Sequence, residues 1–509
     1  MRVGIDLGTT YSLVSVMGAD GRPALVADVN DAEIVHTPSV VNVSAGSAFV
    51  GSIVEAMLEN DPTLPAIRFF KRHMGDREPV FFDEKGAAWG AEGISALVLK
   101  KLVFDAESGS SSRVDSAVVT VPAHFTDPQR RAVLAAASLA KVTVLGLVEE
   151  PVAAALHYGI DVGVRDEILL VYDFGGGTFD ATAMSMDKNG VYVLAKTGLT
   201  DLGGKEIDEK VGEMILHQFE KALGRPLQTG ARTLLELRRI SEQLKIELCS
   251  PGTKRIKRLV MLGGQAVQVE ISRSEFDLSV REIVERTEAE TLRCVREAGL
   301  QPSDISAMLL VGGSSLVPAA EDRLRGLFNK PGQRVLHHEP SKAVAYGAAL
   351  HASQLSGEAE RYHIPPELRG VSGYHVGVRT VDPASGRVSV DTLIKKNMTL
   401  PVKVRKTYYT SRAGQERMAF DFVQYRDPSE NLVSLGRLIV GPLDAPRANY
   451  PVELTTDYRV DGTVSVEAYD AQTGQELAQV FGGDAEGGHT SLAMQKALVD
   501  ATLINNVIQ

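Results

Sequence analysis

The chain has 509 residues, of which 44% are hydrophobic and 23% are charged, and its formal net charge is −11. A chain of this length is too long to fold around a single hydrophobic core, so about three domains are expected. No apolar run approaches the roughly 18 residues of a membrane span, and the acidic balance disfavours general nucleic-acid binding. Neither a membrane nor a nucleic acid is therefore an expected partner.

Cysteine content and the start of the chain bear on location. The only cysteines, Cys249 and Cys294, each lie in a helix-like stretch, which argues against a structural disulfide. The first predicted strand begins at Arg2 and leaves no room for a signal peptide. A reducing cytoplasm is the expected location.

A glycine turn follows the first predicted strand. The strand ends at Asp6, and Gly8, Thr9, Thr10 and Tyr11 come next. Glycine carries no Cβ and lets backbone N–H groups approach an anion, while threonine hydroxyls add further donors. The segment predicts a phosphate-binding turn with a carboxylate beside it.

The region that follows alternates predicted strands and helices. A buried strand from Ala117 is stopped by Pro122. Thr126 then provides a capping side chain, with Pro128 in the first turn and Gln129 three residues after the cap. This alternation predicts an α/β architecture.

A second glycine turn is the most informative segment of the chain. An apolar strand over 169–174 runs into residues that can bind phosphate and a cation: Asp173, Gly175, Gly176, Gly177, Thr178 and Asp180. Successive glycines can close their N–H groups around a phosphate, and carboxylates there can hold a cation or orient a water. Two such turns predict two half-domains that close on one nucleotide.

The next region completes the predicted nucleotide-binding domain. Between about 205 and 295 the pattern is mostly helical, and a strand over 308–311 enters a third turn, Gly312-Gly313-Ser314. A helix of small residues over 343–349 can pack closely on its neighbours. We expect one domain over 1–355 with lobes at 1–162 and 163–355.

The pattern changes after residue 355. Residues 356–373 are predicted to form a linker, and 374–482 alternate apolar and polar side chains in short runs, which predicts an all-β sandwich. Its strands are predicted at 388–394, 402–409, 417–425, 436–440, 452–458, 463–469 and 476–481. The tail, 483–509, has an apolar stripe that suits one short amphipathic helix.

Six motifs occur in a fixed order. They are Asp-x-Gly-Thr-Thr from Asp6, Thr-Val-Pro-Ala-x-Phe from Thr120, Glu-Pro-x-Ala-Ala-Ala from Glu150, Asp-Phe-Gly-Gly-Gly-Thr-Phe-Asp from Asp173, Gly-Gly-Ser from Gly312 and Ala-Val-Ala-Tyr-Gly-Ala-Ala from Ala343. The set resembles the seventy-kilodalton heat-shock chaperones, the DnaK-like family, over roughly 1–482. The resemblance implies an actin-like two-lobed ATPase domain, a peptide-binding β-sandwich, and ATP, ADP and Mg²⁺ as ligands, with K⁺ as a further candidate cation. The short tail would replace most of the family's helical lid.

The resemblance also implies catalytic residues. Five residues match catalytic positions of the family: Lys71, Glu150, Asp173, Thr178 and Asp180. Asp6 and Asp173 are expected to hold Mg²⁺ through water, since this ion keeps several waters and prefers hard oxygen. Without the resemblance, Lys71 would be interpreted as a solvated surface lysine and Glu150 as an acid favoured at a helix start.

A larger set matches positions that contact the phosphates, ribose and base. It comprises Gly8, Thr9, Thr10, Tyr11, Gly175, Gly176, Gly177, Gly203, Gly204, Glu242, Lys245, Gly312, Gly313 and Ser314. Glu242 and Lys245 lie one helical turn apart and can face one site, although an ordinary surface ion pair is an equal alternative. Leu316 and Cys249 stand where the family often has a long side chain and a hydroxyl, so apolar contact with adenine is expected.

Further matches concern coupling and partners. Pro122 and Arg130 match residues that relay the nucleotide state to the peptide domain, and a purely structural role stays open for both. The implied partners are unfolded or extended client polypeptides, with a J-domain co-chaperone and a nucleotide-exchange factor as further candidates. Gly146 stands where many relatives carry an arginine used to engage J-domain proteins.

The predicted client site lies in the sandwich. The matching residues are Val378, Tyr408, Met418 and Phe420 at an apolar groove, with Val381 and Ser411 in a flanking arch. Met418 would suit varied apolar side chains because methionine adapts its shape, and an extended peptide would add backbone hydrogen bonds. An apolar stripe of period two is also typical of a sandwich core, and that alternative stays open.

Three functions fit the sequence. The leading hypothesis is an ATP-hydrolysing chaperone whose β-domain is coupled to the nucleotide. The second is a nucleotide-sensing adaptor with weak ATPase activity that holds one dedicated partner. It is favoured by the short tail and by residues 367–373, which replace the acidic, leucine-rich linker of the family. The third is a small-molecule kinase with the same nucleotide-binding fold, in which the β-sandwich would have no role.

Overall fold

A computed structural model describes residues 1–44, 46–110, 112–163, 165–381, 388–427, 432–443, 448–477 and 491–505. The predicted strand over 476–481 and the predicted domain boundary at 482 run into 478–490, outside the described residues. The predicted tail, 483–509, is described over 491–505.

Lobe I holds the first glycine turn inside a mixed sheet. Its strands are Arg2–Asp6 (β1), Tyr11–Met17 (β2), Pro23–Leu25 (β3), Thr37–Pro38 (β4), Val40–Ser44 (β5), Ser47–Val50 (β6), Ile67–Arg68 (β7), Phe81–Phe82 (β8), Ala88–Trp89 (β9), Ser116–Val121 (β10) and Val144–Glu149 (β11). Its helices are Ser52–Asn60 (α1), Ala91–Ser110 (α2), Asp127–Leu139 (α3) and Glu150–Val162 (α4). The central sheet has the order β11-β10-β1-β2-β3, with β4 paired to β2. The turn after Asp6 joins the antiparallel pair β1 and β2.

Lobe II repeats this arrangement. Its strands are Glu167–Phe174 (β12), Phe179–Met186 (β13), Gly190–Leu199 (β14), Arg255–Leu262 (β15), Gln265–Ser272 (β16), Ala307–Val311 (β17) and Arg334–His337 (β18). Its helices are Gly204–Leu223 (α5), Ala231–Cys249 (α6), Arg273–Ser279 (α7), Arg281–Glu297 (α8), Pro318–Leu327 (α9) and Ala343–Leu355 (α10). The sheet order β18-β17-β12-β13-β14 again places a glycine turn between antiparallel strands, here β12 and β13.

The last helix of this region, α10, returns to lobe I. It packs on α4 and β1. The packing depends on glycine, because a Cβ at Gly347 would lie 1.8 Å from the carbonyl oxygen of Ala153, and one at Gly4 would lie 2.1 Å from the nitrogen of Ala349. The small-residue helix predicted from the sequence is therefore a close contact between the two halves of the domain.

One part of lobe II was missed by the sequence pattern. The stretch predicted as mostly helical contains the antiparallel hairpin β15–β16, which turns at Gly263 and Gly264 with φ of 55° and 73°. Buried residues recur at every second position over most of both strands, because one face packs on α5 and α6 while the other faces solvent. The glycine pair was the signal that could have revealed it.

The predicted linker is partly a strand. Glu367–Arg369 (β19) pairs in parallel with Gly190–Tyr192 at the start of β14 and extends the lobe II sheet. Ile364, just before it, is buried against Leu156 and Leu350. Residues 364–369 are therefore bound to the nucleotide-binding domain in this arrangement.

A β-sandwich follows, as predicted. Its strands are His375–Val381 (β20), Val388–Ile394 (β21), Val402–Tyr409 (β22), Met418–Tyr425 (β23), Val433–Val440 (β24), Pro451–Tyr458 (β25) and Val464–Asp470 (β26). They form two sheets with the orders β21-β20-β23-β24 and β22-β25-β26. The inward-facing apolar residues of both sheets share one core, which explains the period-two pattern.

The sandwich is docked on lobe I at the start of α3. The backbone N–H of Asp127 donates to Gln424 Oε1 at 3.0 Å, and Asp127 Oδ1 accepts from the backbone N–H of Val464 at 2.6 Å. Arg131 Nη2 donates to the carbonyl of Val464 at 2.5 Å. Backbone and side-chain bonds thus tie α3 to both sheets of the sandwich.

The tail also binds lobe I. A helix over Leu492–Ala501 (α11) packs on α2 and α3, and Leu503–Ile504 (β27) pairs in parallel with β6. Gln495 is buried, accepts from Gly90 N–H at 2.9 Å and donates to the carbonyl of Ala88 at 2.8 Å. Among the described residues, no helix has the length and hydropathy needed to cross a membrane.

Candidate active site

A cavity of about 510 Å³ lies between the two lobes. Most of the predicted nucleotide residues line it: Asp6, Gly8, Thr9, Thr10, Tyr11, Lys71, Glu150, Asp173, Gly175, Gly176, Thr178, Gly204, Glu242, Lys245, Gly312, Gly313 and Ser314. The volume is within the usual range for small-molecule sites. The structure therefore brings both glycine turns, the third turn and the predicted adenosine residues to one place.

Three predicted residues lie just behind the cavity wall. A Cβ at Gly203 would lie 2.5 Å from the nitrogen of Gly177, so the second turn and the start of α5 pack directly on each other. Asp180 is buried at the start of β13, opposite Asp173 in the strand pair, and its carboxylate contacts His124.

Lobe II itself engages the carbonyls of the second turn. Gly204 N–H donates to the carbonyl of Gly175, Lys205 N–H donates to that of Gly176, and Ser314 Oγ donates to that of Gly175 at 2.8 Å. A Cβ at Gly176 would lie 2.0 Å from the Thr10 hydroxyl of the first turn. The two turns thus touch through positions where only glycine fits, beside the N-terminus of α5, where a helix favours anions.

Lys71 and Glu150 form a buried ion pair. Lys71 lies in the 3₁₀ helix Phe70–His73 and Glu150 is the first residue of α4. The ammonium Nζ is 2.5 Å from Glu150 Oε1, with side chains 3% and 12% exposed. Lys71 is therefore not a solvated lysine, and its charge faces the cavity beside Glu150.

The carboxylates of the site are crowded. Burial and then Glu150 raise the pKa of Asp6 to about 7, against the effect of Lys71 and of the Thr120 hydroxyl, which donates to Asp6 at 3.0 Å. Burial, with Glu150, Asp180 and Asp6, also raises the pKa of Asp173 well above its ordinary value. A bound cation would favour the ionised carboxylates, and hard oxygen ligands suit Mg²⁺, so the residues fit that ion. Within the described residues, no three His, Cys, Asp or Glu side chains converge as a direct ligand set.

The residues predicted to contact the base and ribose also line the cavity. Lys245 Nζ lies 2.8 Å from Asp208 Oδ1, and burial raises the pKa of Asp208 to about 6. Ile246, beside Lys245 on α6, also lines the cavity, as an apolar contact with adenine would require. Leu316 does not belong to the lining and is 45% exposed.

Sequence reasoning missed residues that close the cavity from both lobes. The guanidinium of Arg238, on α6, lies 4.0 Å from the centre of the Phe69 ring, which precedes Lys71. Asp208 was also missed. No local motif marks either residue, because Arg238 gains its contact with Phe69 only when the lobes meet, and Asp208 pairs with Lys245 from the neighbouring helix of lobe II.

The predicted relay residues lie at the interface with the sandwich. Arg130 is buried; its Nε donates to the carbonyl of Phe125 at 3.0 Å, and Nη1 donates to the carbonyl of Asp461 in the sandwich at 3.0 Å. Nη2 reaches Glu149 at 2.7 Å, directly before Glu150. Pro122 is buried where β10 ends. A relay through these two residues stays a prediction.

The predicted client groove is largely core in this structure. Val378, Met418 and Phe420 are at most 8% exposed and share the core of the sandwich. Tyr408 is half-buried, packs its ring 5.2 Å from that of Phe420 and donates to Asp391 at 2.7 Å. The remaining members are Ser411, which is exposed, and Val381, whose side chain lies outside the described part of the structure.

Two actin-like lobes that close on a cavity with two glycine turns, joined to a β-sandwich, define a two-domain nucleotide-binding protein. The sequence matches the family described as Hsp70 protein over residues 2–497. It is 34% identical to chaperone protein DnaK of Thermosipho melanesiensis over 496 residues, which covers 94% of this chain and 80% of that protein. Identity to chaperone protein DnaK of Thermotoga maritima is 33% over 494 residues, with the same coverage. The chain belongs to the Hsp70 family, whose ATP-binding chaperones act in protein folding and the stress response.

Proposed function

We propose that this chaperone hydrolyses ATP to ADP and phosphate in the cavity between the lobes and couples this to client binding in the sandwich. The observation that carries the proposal is the meeting of both glycine turns, the Lys71–Glu150 pair and the Asp6 and Asp173 carboxylates in one cavity. Phosphoryl transfer to water needs positioning and charge neutralisation more than covalent chemistry, and these groups supply both.

Each group has a defined task in this proposal. Backbone N–H groups of the turns and the hydroxyls of Thr9, Thr10 and Thr178 bind the phosphates, and the Lys71 ammonium attracts the terminal phosphate and the attacking water. Glu150 orients that water. Asp6 and Asp173 would hold Mg²⁺ through water, and the ion would supply positive charge for the phosphate oxygens. No group in the described cavity distinguishes a site for K⁺, so we leave that ion out.

The client is an extended apolar segment of an unfolded protein. Because Val378, Met418 and Phe420 are buried here, the groove has to open before a peptide reaches them. The tail helix lies on lobe I, which supports rapid client exchange once the groove is open. A cytoplasmic location and J-domain and exchange-factor partners belong to the same proposal.

The test is phosphate release from ATP by the full chain, with and without an unfolded client. We expect turnover, and we expect the Asp173→Asn variant to bind ATP and release almost no phosphate. Binding without turnover in the unmodified chain would contradict the proposal and favour a nucleotide-sensing adaptor. No observation on this chain favours the small-molecule kinase.

A further inference from the structure

His124 lies between the candidate active site and the docked sandwich. It occupies the variable position of the Thr-Val-Pro-Ala-x-Phe motif, just after β10. Its side chain is 2% exposed. None of the roles assigned above uses this buried imidazole.

His124 binds one oxygen of Asp180 twice. Its Nδ1 lies 2.8 Å from Asp180 Oδ1, and its backbone N–H donates to the same oxygen at 3.2 Å. Because Oδ1 already accepts from the backbone N–H, we take Nδ1 as the donor of the second contact. Nε2 is buried and has no hydrogen-bond partner among the residues that the structure describes. The polar contacts of the ring are thus directed at Asp180.

Neighbouring backbone holds Asp180 in this orientation. Asp180 is paired with Asp173 on β12 and with Gly198 on β14. A Cβ at Gly198 would lie 2.7 Å from Asp180 Oδ1 and 2.8 Å from His124 Nδ1, so a side chain there would disrupt the contact. The carboxylate therefore sits in a close-fitting site beside the wall of the nucleotide cavity.

Two residues of the sandwich bind the backbone on either side of this pair. The Tyr374 hydroxyl donates to the carbonyl of His124. Arg426 Nη1 donates to the carbonyl of Gly198 at 2.7 Å, and Nη2 donates to the Tyr374 hydroxyl at 3.3 Å. The guanidinium also lies 5.4 Å from the centre of the Tyr374 ring. Tyr374 precedes β20 and Arg426 follows β23, so both contacts exist only while the sandwich is docked.

We propose that His124 is a positioning residue for ATP hydrolysis that orients the Asp180 carboxylate, and that Tyr374 and Arg426 hold His124 in place when the sandwich is docked. The proposal rests on the ATPase activity proposed above. Neither His124 nor Asp180 belongs to the described lining of the cavity. Loss of the His124 donor therefore lowers kcat and leaves the KM for ATP nearly unchanged.

Steady-state ATP hydrolysis by the full chain tests this with two changes at His124. His124→Leu keeps the bulk and removes the donor. Its kcat should fall roughly tenfold or more, because a small displacement of a catalytic group lowers the rate by at least that factor. His124→Asn places an amide N–H near the position of Nδ1 and should restore most of the rate. A role in packing alone predicts the opposite order, because Leu fills the buried space better than Asn.

A change in the sandwich tests the link to docking. Tyr374→Phe removes one hydrogen bond to His124, and kcat should fall about fivefold, the effect of one such bond. The matched control is Tyr469→Phe, because the Tyr469 hydroxyl binds Glu467 within the sandwich. This control should keep the unmodified rate. Equal rates for Tyr374→Phe and the unmodified chain would overturn the docking part of the proposal.

A double-mutant cycle with Asp180→Asn decides whether His124 acts through Asp180. In that background, His124→Leu should change kcat by no more than about twofold, since coupled residues are not additive. The proposal would be overturned if His124→Leu lowered kcat as much in the Asp180→Asn background as in the unmodified chain. It would also be overturned if His124→Leu raised the KM and left kcat unchanged. If His124→Leu does not fold, the same cycle with Tyr374→Phe gives the answer. If the unmodified chain does not hydrolyse ATP, the proposed function is overturned as well. If it hydrolyses ATP and the changes at His124 leave kcat unchanged, only this inference is overturned.

Discussion

Arg72 in lobe I donates to both carboxylate oxygens of Glu206 in lobe II, at 2.8 Å each. Arg72 follows Lys71 in the 3₁₀ helix, and Glu206 also accepts from the backbone N–H of Gly203 at 2.7 Å at the start of α5. This bidentate contact therefore joins the 3₁₀ helix that carries Lys71 to the start of α5, where Gly203 packs on the second glycine turn.

Loss of this contact should weaken nucleotide binding. Arg72→Ala leaves Glu206 without its partner across the cleft, so we expect the KM for ATP to rise about tenfold, the cost of a charge-assisted pair. Arg239→Ala is the matched control, because Arg239 and Glu59 also join the lobes but are 58% and 61% exposed. An exposed pair contributes little, so the control should be nearly unchanged. If Arg239→Ala raised the KM for ATP more than Arg72→Ala, the contact between Arg72 and Glu206 would not be what holds the lobes together around the nucleotide.

Lys71→Ala should lower ATP turnover at least about 100-fold, because it removes the positive charge at the terminal phosphate. The variant also leaves Glu150 buried and unpaired, which costs about 3–5 kcal/mol of stability. The double variant Lys71→Ala with Glu150→Gln should recover most of the lost Tm and none of the turnover. Thermal melting and phosphate release on the same samples separate the two effects. Recovery of turnover together with Tm would show that Lys71 acts only in folding.

The histidine pair His157 and His338 predicts a pH dependence of stability. His157 on α4 has its ring centre 4.9 Å from that of His338. Burial, followed by His338, lowers the pKa of His157 from 6.5 to about 4. The unfolded chain therefore takes up this proton at higher pH than the folded chain. The contribution of His157 is present above pH 6.5 and is lost as the pH falls toward 4, by about 3 kcal/mol at most.

Denaturant unfolding between pH 7 and pH 4 measures this contribution. His157→Phe keeps an aromatic ring without a titrating group, so its stability should fall less on acidification than that of the unmodified chain. His217→Gln, at an exposed position on α5, is the control and should follow the unmodified chain. Parallel pH curves for His157→Phe and the unmodified chain would exclude His157 as the cause.

The tail helix should stabilise lobe I rather than the sandwich. Gln495→Ala would leave the buried Gly90 N–H and the Ala88 carbonyl without hydrogen-bond partners. This loss should lower the free energy of unfolding by about 1–3 kcal/mol. Trp89, the only tryptophan of the chain, lies between these two groups and reports on the contact. We expect lower stability and a changed Trp89 emission. Lys496→Ala, at an exposed position, should change neither, and an unchanged emission in Gln495→Ala would contradict the docked tail.

The sequence predicted the phosphate site well because its chemistry is local. Asp6 ends β1 and Asp173 is the last residue but one of β12, and a glycine turn follows each strand, so strand, turn and ligand group are close together in sequence. Arg72, Arg238 and Gln495 carry no such local signal. Each acquires a partner more than 100 residues away in sequence, and only the assembled lobes bring those partners together.

The sandwich illustrates a different limit. The alternation of Met418 and Phe420 predicts which face of β23 is apolar, and the structure confirms that face. The same alternation fits a client groove and a core equally well, because both need apolar side chains at period two. The difference lies in which strands cover the face, and that depends on docking and register rather than on the residues themselves.

The connector should report the nucleotide state by its resistance to trypsin. Arg369 lies in β19, whose backbone is paired with β14, whereas Arg361 lies in the preceding turn and is 69% exposed. ATP has a terminal phosphate that can contact both lobes, so it should favour the closed, docked arrangement over ADP. Cleavage after Arg369 should therefore be slower with ATP than with ADP, while cleavage after Arg361 serves as the internal reference.

The experiment is best made with Asp173→Asn, so that ATP persists during digestion. Adding Arg130→Ala removes the donor to the Asp461 carbonyl and should make cleavage after Arg369 equally fast with both nucleotides. Such an outcome would support coupling through Arg130, because the cavity residues are the same with and without the Arg130→Ala change. If cleavage after Arg369 is the same with ATP and ADP when Arg130 is intact, the connector does not carry the nucleotide signal.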